Sequence, residues 1–249
     1  MTGVHQPPGP MQAARPGSIN PNNSSSLRVW LLVSTALTLG LYVAPMGRWL
    51  SWPLVLISTL AHEMGHGIAA LLVGGKFQQF VLFADASGMA TTQFSGRLSS
   101  AFVSAGGLVG PALTAALCFV LARKAAWCRA IHGIVALLLS LALLLVVRNV
   151  FGFAFIALLA VIHGAVALKA SPRVAQVLLL FLGTQLALSV FSRGDYLFTA
   201  VAVTGAGTLP SDVAQMAQAL WLPYWFWGGV CGVLSLAVLA LGLRVAWKS

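Results

Sequence analysis

Seven uninterrupted apolar runs, at about residues 29–46, 52–73, 98–122, 131–147, 150–168, 174–191 and 219–243, constrain this chain more than any other feature. Each approaches or exceeds the roughly 18–20 residues that a helix needs to cross a hydrocarbon core about 30 Å thick. Transmembrane barrel strands alternate apolar and polar residues, so continuous runs of this length make helices the spanning element. Composition agrees, because 59% of the 249 residues are hydrophobic and only 7% are charged. Soluble chains carry roughly 25% charged residues, and no water-facing surface can be assembled from so few. The expected fold class is an all-α polytopic membrane protein with six or seven transmembrane helices. The count is open by one, since Arg148-Asn149 is a very short break between two runs.

Fourteen Lys and Arg stand against four acids, giving a net charge of +10. They lie singly or in small groups between the apolar runs, which suits contact with the anionic headgroups of a lipid bilayer. No basic stripe with interleaved aromatics occurs, so nucleic acid is not an expected partner. Counted on alternate sides of seven spans, Lys and Arg divide six against eight, too evenly to fix orientation. Cys118, Cys128 and Cys231 show no paired spacing and suggest neither a disulfide framework nor a metal knuckle.

Residues 1–27 hold five prolines, three glycines and no acid, the composition of a disordered tail. Residues 28–249 then form a single transmembrane domain. The tail is too long and polar to be a cleaved signal peptide, which makes the first span an uncleaved anchor. Two stretches do not span. Lys76 to Phe94 contains the β-favouring run Phe77–Phe83 followed by Asp85, Ser87 and Gly88, and reads as a hairpin at the membrane surface. Ser192 to Leu209, with Gly194, Asp195, Gly205 and Gly207, reads as a loop or a re-entrant segment.

The sharpest chemical signal stands inside the second run: His62-Glu63-Met64-Gly65-His66, an H-E-x-x-H element in a helical setting. With His62 at zero on the helical wheel, His66 falls at about 40° and Glu63 at about 100°, so all three project from one side. Two imidazoles one turn apart can share a metal; neutral imidazole suits Zn2+, and the adjoining carboxylate can take a proton from water. Glu63 is the only glutamate in the chain and the histidines number five, which makes a chance match improbable. Each ionisable group inside a membrane also costs on the order of 3 kcal/mol on insertion scales, a cost without structural benefit here.

A catalytic zinc needs a third protein ligand and an open position. The remaining acids are Asp85, Asp195 and Asp212, and the remaining histidines His5, His132 and His163. Asp85 sits in Asp-Ala-Ser-Gly, ordinary turn chemistry. Asp212 follows Ser211 and suits the first turn of a helix, and Asp195 suits a loop. His163, alone on an apolar run, reads as a buried hydrogen-bonded residue. Gly106 and Gly110 form a G-x-x-x-G face for close helix packing, which would enclose a dry cavity if it met the histidine helix.

These residues resemble the site-2 protease family of intramembrane zinc metallopeptidases. The likeness rests on His62-Glu63-Met64-Gly65-His66, and more weakly on Ser104 to Pro111, Arg148-Asn149-Val150-Phe151-Gly152 and Ser211-Asp212-Val213, over about residues 57–240. It resembles a compact bacterial-type branch. The resemblance implies zinc held by His62 and His66, Glu63 as general base, and an aspartate from a later helix as third ligand. The better-known branches carry that aspartate in Leu-Asp-Gly, and no Asp-Gly pair exists here. Position and the Ser-Asp likeness favour Asp212, with Asp195 second. Asn149 is either a substrate-positioning group or a helix–helix hydrogen bond. The implied substrate is a membrane protein or membrane-anchored peptide, cleaved in or near its transmembrane segment, by an integral protein of the cell membrane. Two other readings of the same residues are ion or proton transport through the buried His and Glu, and a protease relative that only binds membrane partners.

Overall fold

A computed structural model describes Val29, residues 31–38, Gly40, residues 47–192 and residues 194–248. The tail of residues 1–27 and part of the first apolar run lie outside the described residues; residues 31–38 of that run are described and helical. In chain order the elements are α1 (Gly47–Leu72), β1 (Lys76–Leu82), β2 (Gly88–Gln93), α2 (Arg97–Leu121), α3 (Ala125–Leu145), α4 (Val150–Lys169), α5 (Pro172–Ser192), a 3-10 turn (Gly194–Phe198), β3 (Val201–Thr204), β4 (Gly207–Pro210), α6 (Asp212–Leu220) and α7 (Tyr224–Trp247). All of the helices except the nine-residue α6 are long and apolar enough to cross a membrane, so the described residues supply six candidate spans. This is an all-α polytopic membrane protein with two small antiparallel strand pairs.

The last span starts later than its apolar run suggests, and the local chemistry says why. Trp221 adopts the left-handed conformation (φ 62°) that closes α6, and Pro223 caps α7. A proline lacks an N–H and drives the preceding residue out of the helical region, so the chain breaks at Leu222-Pro223 and resumes at Tyr224. Residues 192–209 are neither a plain loop nor a re-entrant helix. They form the 3-10 turn and most of a tight hairpin, in which Thr204 pairs with Gly207 and Gly207 takes a φ of 121°.

α2 is the centre of the bundle. Its apolar window is 56% buried against 11% for α3, and it packs on α1, α5, α6 and α7. Ala112, Ala115 and Phe119 of α2 share a core with Leu179 and Leu180 of α5 and Leu239 of α7. Its small residues bring it into backbone contact with α1: a Cβ on Gly65 would stand 2.2 Å from the Gly106 carbonyl oxygen, and one on Gly110 would stand 2.8 Å from that of Ala61. The G-x-x-x-G face thus meets the histidine helix. α3 and α4 form an outer hairpin whose free faces lie toward lipid, joined to α5 through His132. The His132 Nε2–H donates to the Ala175 carbonyl (3.0 Å), which leaves its Nδ1 to accept from His163 Nδ1–H (2.8 Å).

β1 and β2 pair antiparallel with Phe80 opposite Ala90 and a bulge between Phe77 and Gln79. The outer edge of β1 is covered by the α3–α4 connection, where Phe80 N–H donates to Val146 O (2.7 Å) and Arg148 N–H to Phe80 O (3.0 Å). Asn149 completes that edge. Its Nδ2 donates to Leu82 O (2.6 Å) and its Oδ1 accepts from Leu82 N–H (3.2 Å), so it binds a strand rather than bridging two helices. Asn149→Ala leaves both Leu82 groups without these partners. The expected result is a loss of about 1–3 kcal/mol, read as a lower Tm in detergent, with metal content unchanged. The turn between the strands is anchored to α1, because Trp52 Nε1–H donates to Ala84 O (2.9 Å) and Thr59 Oγ1 to Ala86 O (2.7 Å). Asp85 is a turn residue, accepting from Ser87 N–H (2.9 Å) and Ser87 Oγ (2.6 Å).

Candidate metal centre

His62 and His66 lie one turn apart on α1, and their Nε2 atoms approach to 3.2 Å with the rings nearly perpendicular. α6 brings the third member. Ser211 caps that helix by accepting from Ala214 N–H, which puts Asp212 at the first helical position and aims its carboxylate at the histidines. Asp212 Oδ2 is 3.1 Å from His62 Nε2, and Oδ1 is 3.3 Å from His66 Nε2. The side chains of His62, His66 and Asp212 are 16%, 12% and 7% exposed, so the cluster is nearly closed to its surroundings. Burial opposes ionisation of Asp212, but the charge and hydrogen bonds of His66 and His62 outweigh it and hold the carboxyl far below the usual carboxylate range.

The donor set fits a tetrahedral cation. With ligand bonds of about 2.0 Å, the edge of a tetrahedron is about 3.3 Å, close to the 3.2 Å between the imidazoles and to the 3.1 and 3.3 Å from them to the two oxygens of Asp212. Taking one ligand atom from each residue, all three lie within 4.8 Å of one another. Among the described residues this is the one His/Cys/Asp/Glu group that meets such a test. His66 is also suited in orientation, since its Nδ1–H donates to Val103 O (2.9 Å) and turns Nε2, the atom a cation would take on loss of its proton, toward Asp212. Room for the ring comes from Gly107 of α2, where a Cβ would stand 2.2 Å from His66 Cε1 and Nε2.

Glu63 is buried on the same side of α1, and its Oε2 accepts from Ala90 N–H of β2 (2.7 Å). It shares with His62 a cavity of about 110 Å³, walled by Thr59, Gly88, Pro111, Tyr196 and the β3 residues Ala202–Thr204. A buried water needs roughly 10–15 Å³ on this measure, so several fit. The two hairpins meet over it, with Gly205 N–H donating to Ser87 Oγ (2.9 Å).

The structure therefore brings His62, His66 and Asp212 together, with Glu63 beside them. Asp195 lies elsewhere: it is exposed, and its Oδ1 accepts the Tyr196 N–H at the start of the 3-10 turn. His132 and His163 form their own pair away from this group. Sequence reading missed Tyr196, whose hydroxyl donates to Asp212 Oδ2 (3.4 Å) and whose ring stands edge-to-face on His62. It also missed Gly107. The one signal for Tyr196 was its place in a polar, non-spanning segment beside a weighed acid.

A bundle of membrane-spanning helices that buries a His-His-Asp group beside a glutamate defines a polytopic membrane protein with a group of side chains that could hold a metal ion. A family model described as Peptidase M50B-like matches residues 30–242, most of the chain, so the chain belongs to the site-2 protease family of membrane peptidases. Neither the curated proteins nor the solved structures give a match.

Proposed function

We propose that this protein is an intramembrane zinc metalloprotease, hydrolysing a peptide bond in or near a transmembrane segment of a membrane protein in the cell membrane. The reading treats residues 28–249 as one metallopeptidase domain. The observation that carries it is the meeting of His62, His66 and Asp212 beside Glu63 in a chain of this family. His62, His66 and Asp212 hold the metal. When bound, zinc supplies polarisation of a water and of the scissile carbonyl.

Glu63 acts as general base. Its carboxylate takes the proton as the water oxygen bonds to the peptide carbonyl carbon, then returns that proton to the leaving amine nitrogen as the C–N bond breaks. The products are a carboxylate and an amine. The substrate reaches this geometry in extended form. Among the described residues β2 pairs with β1 alone, and its other edge borders the cavity at Gly88 and gives the Ala90 N–H to Glu63. An unwound segment adding to that edge by β-augmentation lies alongside Glu63.

Glu63→Gln keeps the volume and removes the base. Purified variant is expected to retain about one zinc per chain while cleavage falls roughly 10²–10⁴-fold, measured by metal analysis and by cleavage of a model membrane substrate. Undiminished cleavage by Glu63→Gln overturns the assignment. An ion carrier, by contrast, loses or exchanges its metal through purification.

A further inference from the structure

We propose that Tyr196 is a positioning residue of the metal centre, its hydroxyl holding the Asp212 carboxylate and its ring steadying His62. The inference rests on the metalloprotease reading and extends it to a residue outside the H-E-x-x-H and aspartate elements. One side chain here touches two of the three ligands. The hydroxyl reaches Asp212 Oδ2 at 3.4 Å, and this is the oxygen that also meets His62 Nε2 at 3.1 Å. The ring meets that of His62 at 5.9 Å and 82°, an edge-to-face contact that fixes ring orientation.

His66 and Glu63 already have an outer hydrogen-bond partner. His66 has the Val103 carbonyl and Glu63 has the Ala90 N–H, both from neighbouring elements. Asp212 lacks an equivalent unless Tyr196 supplies it: apart from the two imidazoles, the phenol is its hydrogen-bond partner among the described residues. Ligating carboxylates are held by such outer-shell donors.

The backbone is built to keep this pair in register. Ser211 Oγ donates to Thr199 O (2.6 Å) and Ser211 N–H to Ala200 O (3.0 Å), while Thr199 Oγ1 donates to Tyr196 O (3.1 Å). The residue before Asp212 is thus tied to the end of the turn that carries Tyr196. α7 presses the same turn from behind, where Gly228 lies so close to the Leu197 carbonyl that any side chain there collides with it.

The test compares wild type, Tyr196→Phe and Tyr196→Leu as full-length protein in detergent. Zn2+ affinity is measured by chelator competition, and the visible spectrum is recorded with Co2+ in place of zinc. Tyr196→Phe removes only the hydroxyl, and the expected result is a 10–100-fold weaker Zn2+ affinity with altered Co2+ bands. Tyr196→Leu, which also removes the ring, is expected to lose at least as much. Wild-type affinity and an unchanged Co2+ spectrum in Tyr196→Phe overturn the proposal, as does a loss confined to Tyr196→Leu. A wild type that binds no metal overturns the metalloprotease reading itself, a distinct failure.

Discussion

Asp212→Asn is expected to empty the metal centre. The substitution preserves shape but replaces an anionic oxygen with an amide, which is a weak ligand for zinc. Asp212 is the group from outside α1 that closes the ligand set, bridging His62 Nε2 at 3.1 Å and His66 Nε2 at 3.3 Å. Without it, two neighbouring imidazoles on one helix hold the cation alone. Loss of an outer-shell partner already costs roughly 10–100-fold in affinity, so loss of a direct ligand is expected to exceed about 100-fold. Zinc content after dialysis should fall from about one per chain toward zero, and cleavage should vanish with it. Asp195→Asn, at an exposed position in the 3-10 turn, is the matched control and should keep both. The reverse pattern, metal lost in Asp195→Asn and kept in Asp212→Asn, sinks the ligand assignment.

The second large effect is expected from a single added methyl group. Gly107→Ala lies in the interior of α2, where alanine ordinarily gains about 1 kcal/mol of helix propensity. Here its Cβ would stand 2.2 Å from the His66 ring, and something has to move. The ring is the movable partner, and turning it breaks the Nδ1–H bond to Val103 O and withdraws Nε2 from Asp212. Overpacking costs about 1–3 kcal/mol, so the net change in stability is small or mildly negative. Zinc affinity and cleavage are expected to fall at least tenfold in a protein whose melting temperature moves only a few degrees. Normal zinc binding by Gly107→Ala would show that α2 yields instead of the imidazole.

These two residues mark what the sequence could and could not disclose. The histidines and Glu63 were legible because the helical repeat alone puts three neighbours on one side of α1. The spans were legible because length and apolarity decide them locally, but the late start of the last span, after Leu222-Pro223, was clear only once the preceding helix was seen to stop there. Asp212 was preferred to Asp195 only by position and by resemblance, since no local pattern records that α6 packs on α2 with its first turn toward the histidines of α1. Gly107 stood within the Ser104 to Pro111 likeness and Tyr196 in a polar segment, but neither showed its role beside the histidines. Their importance comes from contacts between α2 and α1, and between the 3-10 turn and α6, and a chain read in order contains no distances between such elements. Asn149 illustrates the same limit, because its polarity was evident while its partner, Leu82 of β1, stands 67 residues away.

The hydrogen bond from Ala90 N–H to Glu63 has a further implication for the proposed chemistry. Proton transfer tolerates heavy-atom separations of about 2.6–3.2 Å, whereas slippage of a strand by one residue moves it about 3.3 Å. The hairpin therefore works as a gauge: the alignment of β2, fixed by the bulge in β1 and by Asn149 at the far edge of β1, sets both where a guest strand lies and how far the carboxylate can reach. Errors in that alignment would misplace the acid–base group and the bond to be cut by the same step, so fidelity of cleavage and fidelity of folding become a single specification.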